Sequence, residues 1–417
     1  MKAPSVHQTK NCHAKIQVIT EWLFFLYPAS LAVNKLAHEI VTVLIFLGSC
    51  LFLAIHARDL KSCLTGVRRL WIAALCMPIL LTTIQYVSLA KPLELQNFDD
   101  VSRFFLCIPI YLALLIIRPN IRLFLWGCVF FTIYSVALMF WHVRILGLAR
   151  SIAPNGFLLT IPHTTFSIIL AMLALRLQIG ADGSFQRRLL SILLMCCAVS
   201  VPILSETRSG LLLALVMGVL VWFLLPKKNV RILLYGTVAA ISIMTIVMSN
   251  NNIWTRSDNT IAEIRQYTTS DQSVMTSTTI RIELWRYATN IFIEHPFIGV
   301  GNNQFRGTLS DYKIPPGLEI FTHPHNEFLK FAAEGGLLGI LTLAMLYFVP
   351  ITAAWRSYLR TRSATNPALM IIIFSCSFLI SGLIDVVLEW RSTIMFYCVV
   401  VSLLLMNMDK NYRVEKP

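Results

Sequence analysis

The chain has 417 residues, of which 56% are hydrophobic and only 13% charged, with a mean hydropathy of +0.69 and a formal net charge of +14. So apolar a composition excludes a water-soluble fold of this size and points to an all-α integral membrane protein with many spans. The positive charge would suggest nucleic acid in a soluble protein, but here the bases gather in short connections between apolar runs, where they orient the chain, so no nucleic-acid partner is expected.

Residues 1–20 are polar and basic, and the apolar run that follows lacks a small-residue cleavage site, so that run is expected to be a retained first span. Apolar runs long enough to cross a bilayer occur at roughly 20–37, 39–56, 70–90, 103–117, 121–141, 157–176, 189–204, 209–226, 231–249, 335–355, 367–388 and 392–408. This predicts about twelve transmembrane helices with both termini on one side. The chain then divides into an N-terminal membrane bundle over 1–249, a loop over 250–334 and a C-terminal membrane bundle over 335–417. Alternate connections are basic: Arg58, Lys61, Arg68 and Arg69; Arg118 and Arg122; Arg176, Arg187 and Arg188; Lys227, Lys228 and Arg231; Arg356, Arg360 and Arg362. Because Lys and Arg resist translocation, these connections and both termini are expected in the cytoplasm and the long loop outside it. Arg144 and Arg150 run against the trend. None of the ten cysteines falls in 250–334, and no disulfide framework or zinc spacing is present.

The loop, roughly 85 residues long, is the one extramembrane segment large enough to hold chemistry, and it is expected to form a small helical cap. Within it, 277–294 carries Ile280, Leu284, Tyr287, Ala288 and Ile291 at helical spacing after Ser and Thr residues suited to capping. An amphipathic helix lying on the membrane or the bundle is predicted, ended by His295 and Pro296. Gly299, Gly301, Asn302 and Asn303 then read as turns, and the Gly299–Gly301 stretch lacks the strand and Lys of a phosphate loop.

The loop closes on THPHNEFLKFAAEGGLLG, 322–339, which sets two histidines and an amide at a membrane boundary. His325 is the candidate general base, and the alternative is a histidine that caps the following helix. Asn326 and His323 are candidates for support. A metal held by His323 and His325 is not expected, because no further His, Cys or paired carboxylate lies nearby in the sequence. Arg208, in SETRSG, sits at the outward end of a span against the charge bias, either to bind an anion or to pair with Glu206. Arg281 and Arg286 flank Trp285 five residues apart, so at most one of them points into a given site. Asp385, near Glu389 and Arg391, reads as part of a structural ion pair, and His163 as a side chain hydrogen-bonded to a neighbouring helix. Outward arginines with one histidine suit a group transfer from a lipid-linked diphosphate: guanidinium groups bind the phosphate oxygens and the imidazole takes a proton from the attacking hydroxyl.

His325 and Asn326, then nine residues, then Gly336, Leu337, Leu338 and Gly339, resemble the signature of the O-antigen ligase family. TIRIELWRYA followed by HPFIGVGNNQF, and the arginine of SETRSG, are similar to the wider superfamily shared with O-antigen polymerases and some protein O-oligosaccharyltransferases. The resemblance implies a glycosyltransferase of the Gram-negative inner membrane that acts at the periplasmic face in lipopolysaccharide biosynthesis. It would transfer O-antigen polysaccharide from undecaprenyl diphosphate to a hydroxyl on the outer core sugar of lipid A core, with inversion, no metal and no cofactor. His325 would be the base, and Arg208 and Arg281 would hold the diphosphate. Its partners would be the lipid-linked O-antigen, the lipid A core oligosaccharide and membrane lipids. A polymerase or a protein O-oligosaccharyltransferase shares this chemistry. A transporter or flippase is the reading of a different class, and it would need related halves or ionisable residues at mid-membrane.

Overall fold

A computed structural model describes residues 6–56, 64, 66–89, 95–147, 160–175, 185–205, 207–224, 276–315, 318–362 and 366–414. Regular structure among these residues is helical. The order is α1 (Val6–Val33), α2 (Lys35–His56), α3 (Val67–Ser88), α4 (Leu95–Ile117), α5 (Arg122–Phe140), α6 (Thr160–Ala174), α7 (Phe185–Leu204) and α8 (Arg208–Leu224), followed by α9 (Ser277–Glu294), α10 (Phe305–Leu309), α11 (Glu327–Thr361), α12 (Ala368–Ile384) and α13 (Arg391–Val414). Seven of these helices are long and apolar enough to cross a membrane, and four shorter ones are apolar as well. The expected run at 231–249 and the loop segment 250–275 lie outside the described residues, as do Glu206 and Arg150 and the side chains of Arg144 and Arg208.

Apolar length selects the spans, and side-chain packing ranks them. The α13 span is 83% buried inside the protein, against 28% for α2, so α13 is the hub and α2 lies at the rim. Around the hub Phe374, Phe378 and Phe396 pack with Tyr397, all fully buried, and the Tyr397 hydroxyl donates to the Leu346 carbonyl at 2.9 Å. Two polar pairs join α3 and α13 in the same way: Trp71 donates to Ser402 at 3.0 Å, and Arg68 meets Asp409 at 2.7 Å. These contacts lock α3 to α13 where a lone buried donor would cost stability. His163 shows no such hydrogen bond among the described residues: both ring nitrogens are buried without a partner there, and the ring lies 5.7 Å from that of Phe131.

Helix α9 forms as the sequence predicts. Thr276 caps it in a reciprocal box with Thr279, and Leu284, Tyr287, Ala288 and Ile291 turn inward. They build a second, smaller core with Val300, Phe305, Leu309 and Leu318 against Ala333 of α11, so the described part of the loop rests on the bundle.

Helix α11 is broken. Gly336 sits at φ 60°, ψ −149° inside it, a conformation that glycine alone adopts cheaply. A Cβ there would strike the Phe297 carbonyl, and one on Gly299 would strike the Glu334 carbonyl, so two backbones touch at glycines. The chain at 296–301 makes up the missing helical bonds. Leu337 and Leu338 donate to the carbonyls of Pro296 and Phe297 at 2.7 and 3.2 Å, while Val300 and Gly301 donate to those of Ala333 and Glu334 at 3.1 and 3.0 Å. Gln85 of α3 fastens the junction, donating to the carbonyls of Ile298 and Glu334, each at 2.6 Å. A helix break inside an apolar segment is tolerable when freed backbone groups find partners, as these do. The turns read at 299–303 are therefore half of a joint whose other half is the Gly336–Gly339 motif.

Candidate active site

The site is built where α11 begins. Asn326 caps the helix, its Oδ1 accepting from the Leu329 N–H at 3.0 Å, and its amide donates to the Leu383 carbonyl at 3.1 Å. The cap is therefore Asn326, and the reading of His325 as the capping residue is set aside. His325, one residue earlier, takes a left-handed backbone at φ 51° and its side chain is freed for other contacts. Its backbone N–H donates to Nδ1 of His323 at 3.2 Å, and the two rings meet edge to face with centroids 4.5 Å apart.

The ring Nδ1 of His325 lies 3.0 Å from Oδ1 of Asp385. Burial pushes the Asp385 carboxyl up, but the hydrogen bond and charge of His325 more than offset this and hold it below its ordinary value. An ionised carboxylate can only accept, so Nδ1 carries the proton, and in the neutral form of the ring the lone pair sits on Nε2. This is the tautomer a general base needs. Burial also lowers His323, with Glu389 and Asp385 pulling the other way, which favours a neutral ring. Asp385 was read from the sequence as a structural ion pair with Glu389 and Arg391, and the geometry corrects this. Glu389 pairs with Lys330, and Arg391 pairs with Asp99 at 2.6 Å and Asp100 at 3.1 Å. Asp385 is left facing the histidine because α12 ends at Ile384 and the next residue turns to an extended backbone.

The turn that carries Asp385 is clamped to the helix that starts after His325. The Glu327 carboxylate accepts the Leu388 N–H at 2.6 Å and the Tyr347 hydroxyl, and Lys330 is ion-paired with Glu389. The acids and the base of α11 before its break, Glu327, Lys330 and Glu334, are buried. They fall at helical spacing in an otherwise apolar run, and that was the sequence signal for a polar seam here.

Asp385 also lines a small cleft between α6, α8 and α12, together with Pro162, Thr165, Ser209, Leu213 and Trp390. Ser209 is the residue after Arg208, so the backbone of Arg208 starts its helix at the edge of this cleft. Arg281 stands half-buried on α9 and makes no hydrogen bond or ion pair among the described residues. Arg286, by contrast, is held by Glu283 at 2.7 Å and lies over the Tyr287 ring. Among the described residues the structure thus joins His325 to His323 and Asp385, gives Asn326 and Arg286 partners of their own, and shows no hydrogen bond or ion pair for Arg281.

Residues 190–344 match the family model described as O-antigen ligase. This stretch takes in Arg208, Arg281, His325 and the Gly336–Gly339 motif. Over this stretch the chain is similar to the O-antigen ligase family. A curated relative, the O-antigen ligase of Escherichia coli (strain K12), is 25% identical over 233 residues, which cover 52% of this chain and 51% of that protein. The chain thus spans about half the length of the O-antigen ligase it matches. Asp385 lies beyond the end of the family match, and only the folded chain connects it to His325.

Proposed function

We propose that the protein is an O-antigen ligase, a membrane glycosyltransferase that moves O-antigen polysaccharide from undecaprenyl diphosphate to a hydroxyl of the lipid A core at the periplasmic face. The observation that carries this reading is the His325–Asp385 pair at 3.0 Å, in which a proton held on Nδ1 presents Nε2 of the neutral ring as the base. In the proposed reaction Nε2 accepts the proton of the acceptor hydroxyl as its oxygen attacks the anomeric carbon, and the lipid diphosphate departs with the electrons of the glycosidic bond. Direct displacement inverts that carbon. The imidazolium is stabilised by Asp385, which is already hydrogen-bonded to it and needs no reorganisation. Arg281, which lacks a protein partner among the described residues, and Arg208, beside the cleft, are assigned to the diphosphate oxygens. Each such contact contributes on the order of 3 kcal/mol to barrier lowering. His323 and Asn326 hold the His325 backbone and the start of α11.

The test is His325→Ala in membranes supplied with lipid-linked polysaccharide and rough lipopolysaccharide, after insertion at normal levels is verified. The proposal expects transfer to fall about 10²–10⁴-fold while donor binding is kept. Near-normal transfer would remove His325 from the reaction. If the wild-type protein instead extends polymer on the lipid carrier and leaves the core bare, the polymerase reading replaces the ligase.

A further inference from the structure

Sequence spacing offered His323 and His325 no third metal donor, but the fold supplies one. One ligand atom each from His323, His325 and Asp385 lies within 4.8 Å of the others, and all three residues are half-buried. The His325 Nδ1 and Asp385 Oδ1, at 3.0 Å, stand near the roughly 3.3 Å edge expected of a tetrahedron with bonds of about 2.0 Å. Two imidazoles and one carboxylate are a donor set for zinc with a fourth position left open. They are a poor set for magnesium or calcium, which take oxygen ligands.

We propose that His323, His325 and Asp385 form a binding site for a borderline divalent transition metal such as Zn²⁺, and that the bound metal switches the base off. The metal takes the place of the proton between His325 Nδ1 and Asp385. That proton moves to Nε2, so no net proton is released from this ring, and the lone pair that would receive the acceptor's proton is gone. His323 turns its Nδ1 lone pair, which now accepts the His325 backbone N–H, to the metal. Metal binding stands on geometry alone, whereas the switch rests on the transfer reaction proposed above.

The test uses the full-length protein in detergent, stripped with a chelator and titrated with Zn²⁺ by calorimetry. One equivalent is expected to bind and to raise the thermal unfolding midpoint, as a ligand specific for the folded state does. His323→Ala and Asp385→Asn should each weaken binding at least tenfold, while His295→Ala, at an exposed histidine outside the cluster, should not. Absence of a stoichiometric site in the wild type, or unchanged affinity in both cluster variants, overturns the site. The transfer assay supplies a second arm, in which Zn²⁺ should abolish transfer with the same midpoint as binding and a chelator should restore it. Full transfer at saturating, bound Zn²⁺ overturns the switch. If the metal-free protein performs no transfer at all, it is the ligase reading that fails, and the binding result is judged separately.

Discussion

The two halves of α11 belong to one continuous helix in sequence terms and to two environments in the fold. Before the break at Gly336 the helix buries Glu327, Lys330 and Glu334, each paired with groups from other parts of the chain. After it the helix turns Leu337, Ile340, Leu341 and Phe348 outward, each 40–51% exposed, and buries Leu343, Leu346 and Tyr347 against the hub. The contrast teaches how a chain holds chemistry at a membrane boundary. Charges that lipid would reject are turned inward and satisfied by neighbouring turns, while the outer half of the same helix supplies the anchor. Since the inner half is held by polar bonds and the outer by apolar packing, substitutions on the two sides of Gly336 should fail differently.

The largest expected effect is at Lys330. Lys330→Met leaves buried Glu334 and half-buried Glu389 without their cation and should cost about 3–5 kcal/mol in unfolding experiments in detergent. Adding Glu334→Gln and Glu389→Gln should recover much of that loss, and no recovery would mean that the seam does not act as an ionic unit. Next is the joint itself. Gly336→Ala should cost about 1–3 kcal/mol for the backbone conformation, before any contact with the Phe297 carbonyl. Proteolysis at 296–301 should accelerate if the joint opens, and an unchanged cleavage rate would argue against it. Smallest is Asn326→Ala, which removes the cap and the bond to Leu383 and should cost about 1 kcal/mol. An effect as large as that of Lys330→Met would contradict the division of labour between cap and seam.

Hydropathy made the spans legible because lipid selects for length and apolarity, and the Thr276 cap with the spacing from Ile280 to Ile291 made α9 legible because both are local. The signature from His325 to Gly339 was visible for the same reason, though what its glycines do was not. Gly336 is explained only by a backbone segment at 296–298 that crosses it. Asp385 was misread because it lies 60 residues from His325, and its neighbours in sequence, Glu389 and Arg391, offered a plausible pairing that the fold gives to other residues. Periodicity reports which face of a helix is buried, and it does not report what stands opposite that face.

The claim that His325 and Asp385 act as one unit is tested most directly by a double-substitution cycle on the rate of glycan transfer. His325→Ala, Asp385→Asn and the pair are compared at equal levels of inserted protein. If the aspartate works through the histidine, each single change is severe and the double change is no worse than His325→Ala alone. Losses that multiply in the double variant would show two independent roles and contradict the pairing.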